Sequence, residues 1–190
     1  MMLNQINLFN LSNFERLEEI GEGAFSKAYK ISNKETGEIL CSKILNFSIN
    51  QDRKKAAQLL REIKAISKVV HPTIVKYIGY SPINFDRLPK PTIITEYVGN
   101  GTLRNILKLE KCSKHPPCWN NTRKLINIYG IALGMSFLNS RNILHRDLKP
   151  ENILEDDYLL PKIADFGLSK IIHENSKSFS SYSEKDTIGT

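Results

Sequence analysis

The chain has 190 residues, of which 41% are hydrophobic and 25% are charged, and its formal net charge is +7. This size and composition predict one folded domain with a buried core and exclude a chain that is disordered throughout. The basic residues are spread along the sequence and form no block that alternates with aromatic residues, so we expect no nucleic-acid-binding module.

The N-terminal part predicts a short lead-in followed by strands. Residues 1–13 are rich in asparagine and weakly patterned, and we expect a flexible lead-in there. From Phe14 the apolar residues begin to alternate, which predicts a strand, a glycine turn that contains Gly21 and Gly23, and a second strand that reaches Ile31. A third strand is predicted at 39–45, after a hairpin turn.

The glycine turn allows two interpretations. Without side chains at Gly21 and Gly23, backbone N–H groups can approach a phosphate closely. An ordinary hairpin explains the same two glycines, and the local pattern does not separate the two roles.

The middle of the chain predicts a helix and two more strands. Apolar residues recur at helical spacing through residues 51–69, and Pro72 prevents the helix from continuing. The stretches 75–80 and 92–98 have the composition of strands, with a proline-containing loop between them.

The C-terminal half predicts mainly helices and one small hairpin. A short helix begins after Thr102, which is a suitable cap, and a longer helix covers 121–139. That longer helix is apolar around nearly its whole circumference, so we expect packing partners on all its sides. Residues 153–154 and 162–164 are predicted to pair as a hairpin.

The most informative stretch lies between the long helix and the hairpin. His145-Arg146-Asp147-Leu148-Lys149-Pro150-Glu151-Asn152 is followed, after a hydrophobic step, by Asp165-Phe166-Gly167. Asp147 can accept a proton and Lys149 can neutralise a moving phosphoryl group, while Asn152 and Asp165 carry hard oxygen ligands suited to Mg²⁺. Five such fixed letters arise by accident in on the order of one in ten thousand chains of this size.

These two motifs fit H-R-D-L-x-x-x-N and D-F-G, and from about Phe14 to Thr190 the chain resembles the eukaryotic protein kinase family. The resemblance implies an α+β fold with two lobes. The N-lobe, residues 14–98, would be a five-stranded antiparallel sheet with one helix. Residues 99–190 would form a partial, helical C-lobe. ATP and Mg²⁺ are the implied cofactors, and a protein with a Ser or Thr hydroxyl is the implied substrate, because Lys149-Pro150-Glu151 resembles the serine/threonine class.

The resemblance also implies the catalytic roles. Asp147 would take the substrate proton and Lys149 would stabilise the transferring phosphoryl group. Lys43 would orient the phosphates and pair with Glu62, for which an exposed helix glutamate is the alternative interpretation. The implied metal ligands are Asn152 and Asp165.

The implied nucleotide site is lined by the two glycines, by small or apolar residues of the N-lobe and by the segment that joins the lobes. Two positions depart from the family pattern, because Ser26 replaces the third glycine and Ala28 replaces a valine. The implied nucleotide contacts are Ile20, Gly21, Gly23, Ala28, Cys41, Lys43, Glu96, Val98 and Leu154.

The resemblance covers roughly the first two thirds of such a domain, so we expect the helix at 121–139 to expose an apolar face that a partner could cover. Two functions therefore stay open: a serine/threonine kinase, recorded as a truncated domain, and an inactive truncated kinase that binds ATP or a partner. Three sparse cysteines and no secretory or membrane-spanning pattern favour a soluble cytoplasmic protein without membrane contact.

Overall fold

The computed structural model describes residues 7–171 except Ala24 and Leu168, and it describes the backbone but not the side chains of Glu62 and Ala65. Two lobes follow one another along the chain, which confirms the predicted α+β class. The elements are β1 (Phe14–Gly23), β2 (Ser26–Asn33), β3 (Ile39–Leu45), α1 (Arg53–Ile66), β4 (Tyr77–Ser81), β5 (Thr92–Glu96), α2 (Leu103–Lys111), α3 (Asn121–Ser140), β6 (Ile143–Leu144), β7 (Ile153–Glu155), β8 (Pro161–Ile163) and β9 (Lys170–Ile171).

The N-lobe is an antiparallel sheet of five strands in the order β1-β2-β3-β5-β4. The alternation of side chains along β3 sorts its residues between two faces. Leu40, Ser42 and Ile44 are buried on one face, whereas Cys41 and Lys43 point to the other and are half-buried. Lys43 therefore lies on the face opposite the buried side chains of Leu40, Ser42 and Ile44.

Residues 7–13 pack against the sheet, unlike the flexible lead-in expected for this part of the chain. Phe9 N donates to Tyr80 O at 2.8 Å, and Tyr80 N donates to Asn7 O at 2.9 Å, so the segment runs alongside β4. Leu11 is buried at 7% exposure in the same cluster as Phe14. These apolar contacts hold a segment whose asparagine content had suggested no fixed structure.

Helix α1 packs on the sheet face that carries Lys43, opposite the face covered by residues 7–13. Asp52 caps its first turn, because Asp52 Oδ1 accepts a hydrogen bond from Lys55 N at 2.9 Å. Leu59 and Ile63 are buried against Tyr80 of β4. The helix observed is shorter than the predicted range 51–69 by two residues at its start and three at its end.

Helix α3 approaches the β7–β8 hairpin closely because two glycines lie on its buried side. A Cβ added at Gly130 would lie 2.8 Å from Pro161 Cγ, and one added at Gly134 would lie 2.6 Å from Thr73 Oγ1 and 2.7 Å from Ile163 Cδ1. No larger residue fits these two positions without movement of the neighbouring chain. The glycines thus fix the distance between α3 and the hairpin that connects residues 145–152 to residues 165–167.

We expect Gly134→Ala to lower the free energy of unfolding by about 1–3 kcal/mol, because the new methyl group overlaps Thr73 and Ile163. An alanine would otherwise favour a helix, so the sign of the change tests the close contact itself. Urea unfolding measures it, with the exposed Ser136→Ala on the same helix as the control. A Gly134→Ala chain as stable as the original would contradict this packing.

The opposite side of α3 is apolar and exposed, as predicted. Leu125 and Tyr129 are each 66% exposed, Ile128 is 65% exposed and Leu133 is 41% exposed. Residues 125–140 carry no ionisable side chain apart from Tyr129. A continuous apolar surface of this kind is unusual on a soluble monomer and typically contacts another protein surface.

Backbone hydrogen bonds join the two lobes. Ile163 N donates to Thr73 O at 2.8 Å, and Val75 N donates to Ile163 O at 2.9 Å. These bonds tie the hairpin of the C-lobe to the segment that leads into β4. Among the described residues, no helix has both the length and the hydropathy needed to cross a membrane.

Candidate active site

The loop after β6 is anchored by a buried histidine. His145 is fully buried, its Nε2 lies 2.9 Å from Ala164 O, and its ring packs edge-on against Phe166 with 5.0 Å between centroids. Asp147 N donates to His145 Nδ1 at 3.3 Å. His145 therefore links the two motifs that the sequence singled out, and places Asp147 relative to Asp165.

The two motifs share an unusual backbone conformation. Arg146 has φ +64° and Asp165 has φ +59°, a region that residues with a Cβ adopt at an energetic cost. Such strain persists where the surrounding structure holds it, and it often marks functional loops.

Asp147, Lys149 and Asn152 form a compact cluster. Lys149 Nζ donates to both carboxylate oxygens of Asp147, at 3.0 and 2.8 Å. The Asn152 Nδ2 group donates to Asp147 O and to Asp147 Oδ2, each at 2.8 Å. The structure thus brings together three of the residues that the sequence predicted, and Asn152 fixes the carboxylate from one side.

The charges in this cluster reinforce each other. The hydrogen bond from Lys149 is the main reason why the pKa of Asp147 lies below its ordinary value. The reciprocal bond raises the pKa of Lys149. Both side chains are therefore ionised at neutral pH, and Asp147 is available as a proton acceptor.

An ion pair connects the N-lobe to this cluster. Lys43 Nζ of β3 lies 2.5 Å from Asp165 Oδ1, and 122 residues separate the two in sequence. The sequence interpretation paired Lys43 with Glu62, whose side chain lies outside the described residues. Among the described residues, Asp165 is the partner of Lys43, and the convergence of the two motifs from separate lobes agrees with the predicted arrangement.

Asp165 is ionised despite its surroundings. Burial acts to raise the pKa of Asp165, but the charge and hydrogen bond of Lys43 outweigh it, and the net pKa lies below the ordinary value. Gly167 N also donates to Asp165 Oδ1 at 3.2 Å. Because Asp147 acts on the same carboxylate through its charge, the two acids belong to one electrostatic site.

Gly21 and Gly23 lie within β1, which differs from the predicted glycine turn. Gly21 pairs with Ala28 and Gly23 with Ser26, so only residues 24 and 25 connect the two strands. A Cβ at Gly21 would meet Ala28 Cβ at 3.9 Å, and one at Gly23 would meet Ser26 O at 3.8 Å. The described residues therefore leave room for a side chain at both positions, so packing within the fold does not require glycine there.

Several of the predicted nucleotide contacts lie on the sheet face that carries Lys43. The register pairs Ala28 with Gly21 and with Lys43, and it pairs Cys41 with Thr95. Burial raises the pKa of the Cys41 thiol, so this side chain stays neutral. One strip of the sheet face therefore consists of Gly21, Ala28, Cys41 and Lys43. Its first three residues are small, and Lys43 adds an ammonium group.

Ile20 lies at an irregular position in β1. The register shifts between the Glu19–Tyr29 pair and the Gly21–Ala28 pair, and Ile20 stands between them with 43% of its surface exposed. A bulge of this kind turns a side chain away from the regular alternation of the strand.

The remaining predicted contacts lie where the lobes join. Glu96 ends β5 and Val98 follows it, both half-buried. Leu154 lies in β7, where it pairs with Lys162 and forms a bridge to Thr102. The segment after the sheet and the hairpin of the C-lobe therefore come together as predicted.

Sequence reasoning missed the role of the Glu96 side chain. Glu96 Oε1 accepts hydrogen bonds from Lys162 Nζ and from Lys76 N, each at 2.8 Å. This carboxylate holds β8 against the end of the sheet. No local pattern signals the contact, because Lys162 lies 66 residues further along the chain.

The oxygen atoms left in the site suit a hard cation. The two bonds made by Asn152 use only its Nδ2 hydrogens, and the bonds received by Asp165 from Lys43 and Gly167 use only Oδ1. Asn152 Oδ1 and Asp165 Oδ2 are amide and carboxylate oxygens, the donor types that Mg²⁺ takes in proteins. The residues present therefore fit the predicted metal.

Comparison with known proteins agrees with this geometry. The sequence profile of the protein kinase domain matches residues 14–190. The chain is 32% identical over 165 residues to human receptor-interacting serine/threonine-protein kinase 3, an alignment that covers 85% of this chain and 29% of that protein. It is 36% identical over 170 residues to probable serine/threonine-protein kinase fhkA of Dictyostelium discoideum, an alignment that covers 86% of this chain and 27% of that protein.

A viral protein is also similar. The putative serine/threonine-protein kinase/receptor R818 of Acanthamoeba polyphaga mimivirus is 40% identical over 127 residues, which is 66% of this chain and 7% of that protein. The chain thus spans less than a third of the length of each of these relatives. Because the kinase profile covers nearly all of the sequence and the two lobes bring Lys43, Asp147, Asn152 and Asp165 together, the chain belongs to the eukaryotic protein kinase family.

Proposed function

We propose that the chain is the nucleotide-binding and catalytic part of a serine/threonine protein kinase, which transfers the γ-phosphate of ATP to a Ser or Thr hydroxyl of a protein. The observation that carries this proposal is the ion pair between Lys43 and Asp165, since it joins the N-lobe sheet to the cluster of Asp147 and Asn152. An ammonium and three oxygen-bearing side chains then surround the space between the lobes.

The chain's own residues supply positioning and electrostatics. Asp147 orients the substrate hydroxyl and accepts its proton as the oxygen attacks the γ-phosphorus and the bond to the ADP oxygen breaks. Lys149, held beside Asp147 at 2.8 Å, offsets negative charge on the moving phosphoryl group. Lys43 holds the phosphates of the nucleotide, and Glu62 is proposed as a second partner of Lys43 when ATP is bound.

ATP and Mg²⁺ occupy the same space in this proposal. Asn152 and Asp165 would hold the metal, whose charge would offset that of the phosphates. The strip from Gly21 to Lys43, with Ile20 above it and Leu154 below, would enclose the nucleotide. Backbone groups of Glu96 and Val98 would bond the edge of the adenine.

A partner-binding role without catalysis is the second candidate. The apolar face of α3, with Leu125, Ile128 and Tyr129 each about two thirds exposed, favours it. A partner that covers this face would bury side chains that otherwise contact water.

Nucleotide binding and phosphate transfer separate the two candidates. We expect calorimetry to detect ATP binding with Mg²⁺, and removal of Mg²⁺ by EDTA to weaken it at least about tenfold, because Asp165 and Asn152 would then face the phosphates without a cation. Radiolabelled phosphate should appear on serine and threonine of a generic protein substrate, and not on tyrosine. Failure to bind Mg²⁺ and ATP would contradict the proposed site, whereas binding without transfer would favour the second candidate.

A further inference from the structure

The C-lobe buries one carboxylic acid that the proposed mechanism does not use. Glu155, the last residue of β7, has no exposed surface. Both of its carboxylate oxygens are buried and accept no hydrogen bond from any described residue. An ionised carboxylate in such a position is unfavourable by many kcal/mol unless it is paired, so a protein normally avoids it by keeping the group neutral.

A second buried acceptor lies beside this acid. Asn127 of α3 is 3% exposed, and its Oδ1 atom likewise receives no hydrogen bond within the described part of the chain. The Nδ2 hydrogens of Asn127 are donated to Leu159 O at 2.9 Å and to Arg123 O at 3.2 Å. Those two bonds fix which end of the amide is the oxygen. Three oxygens of these two buried side chains therefore lack a donor among the described residues.

One proton on the acid would correct this deficit. A protonated carboxyl carries no charge and has an O–H donor, which an ionised one lacks. The Asn127 amide lies near enough to lower the pKa of Glu155, but burial outweighs it. Because the carboxyl group of Glu155 is fully buried without a donor among the described residues, we propose that Glu155 is folded as the neutral acid and that loss of its proton loosens the β7–β8 hairpin from α3.

The surrounding charges do not replace the proton. Burial is the largest influence and, with the charge of Asp156, raises the pKa of Glu155, whereas the Asn127 amide and the charge of Arg123 on α3 lower it. The net pKa is about 7. The other charged groups on neighbouring elements have partners of their own: Arg104 of α2 pairs with Glu151, Glu110 of α2 pairs with Lys124, and Lys162 of β8 pairs with Glu96.

The contact lies at a junction of the C-lobe. Glu155 N donates to Gly101 O at 2.9 Å, and Asn100 N donates to Glu155 O at 3.2 Å, so the same residue holds the segment that enters α2. Asn127 and Arg123 of α3 both lie near enough to affect its pKa. A negative charge on Glu155 would therefore act on β7, on the segment that enters α2 and on α3. Glu155 also follows Leu154 directly in β7.

The direction of the pH effect follows from the raised pKa. Between the pKa of an unfolded glutamate, near 4.5, and about 7, the folded chain holds a proton that the unfolded chain has released. The contribution of Glu155 to stability is therefore complete at low pH and is lost as the pH rises to about 7. Above that value both states are ionised and the loss is constant.

Glu155→Gln tests the proposal, because glutamine has nearly the same shape, is neutral at every pH and does not titrate. We expect the folding equilibrium constant of the original chain, divided by that of Glu155→Gln, to fall roughly 40-fold between about pH 5 and pH 7, as measured by urea unfolding. Glu38→Gln, an exposed glutamate in the β2–β3 turn, should give a ratio that is constant with pH. A constant ratio for Glu155→Gln would overturn the proposal.

Infrared spectroscopy of the original chain provides a test that does not depend on the variant's folding. With ¹³C-labelled glutamate, one protonated carboxyl band should be present in the folded chain at about pH 6 and should disappear by about pH 8.5. A folded chain in which every glutamate is ionised at about pH 6 would exclude the neutral acid.

Discussion

Asp147→Asn is expected to reduce phosphate transfer by about 10²- to 10⁴-fold while changing the affinity for Mg²⁺ and ATP by less than about threefold. The replacement removes the group that accepts the substrate proton. It preserves the size of the side chain and leaves the hydrogen bond from Asn152 Nδ2 to the backbone carbonyl of residue 147, which is 2.8 Å long. The loss should therefore appear in the transfer step and not in binding.

The matched control for this experiment is Asp157→Asn. This variant carries the same chemical change at a residue that lies exposed in the β7–β8 turn. It should therefore transfer phosphate at the original rate. Because Lys149 holds the pKa of Asp147 below its ordinary value, the original chain should show no loss of rate from protonation of Asp147 between about pH 6 and pH 8. An Asp147→Asn chain with normal transfer would show that another group takes the proton.

The sequence predicted the elements well where local pattern determines them. The third strand was predicted at 39–45 and is observed there, since its alternating residues face a buried and a half-buried side. Thr102 caps α2 as predicted, with its side chain accepting a hydrogen bond from Asn105 N. Propensity and period are local properties, and these elements depend on little else.

The sequence was less informative where distant contacts decide the outcome. Residues 7–13 are ordered by Tyr80 and by the cluster around Phe14, which no pattern within the segment indicates. The sequence pattern also gave no sign that the lack of side chains at Gly130 and Gly134 sets the distance between α3 and the hairpin. In both cases the partner lies far away in sequence.

The candidate site shows the same division. The types and spacing of residues 145–152 and 165–167 reflect their chemistry, so the cluster of Asp147, Lys149 and Asn152 could be predicted from them. The ion pair of Glu96 with Lys162 and the buried position of Glu155 could not, because they arise only once the hairpin has packed below the sheet. A glutamate at the end of a short strand looks like a surface residue until its neighbours are known.

Lys43→Met should reduce phosphate transfer by about 10²- to 10³-fold, since it removes the single N-lobe ammonium that reaches Asp165 among the described residues, and preorganised charges of this kind contribute that much. Methionine keeps the length and apolar stem of the side chain. The pair is partly exposed, with 27% of the Lys43 side chain and 40% of the Asp165 side chain accessible, so its contribution to stability should be at most about 1 kcal/mol.

This contrast between activity and stability makes the Lys43 prediction specific. If Lys43 had only a structural role, its replacement would lower the stability of the protein along with its activity. If Lys43 acts on the nucleotide, the melting temperature should stay within a few degrees while phosphate transfer and ATP affinity fall. Lys34→Met is the control, because Lys34 Nζ donates to Ser12 O at 2.7 Å on the far side of the sheet and should affect neither transfer nor nucleotide binding. If Lys43→Met transferred phosphate at the original rate, the ion pair between the lobes would be a structural contact only, and the proposed nucleotide site would lose the observation on which it depends.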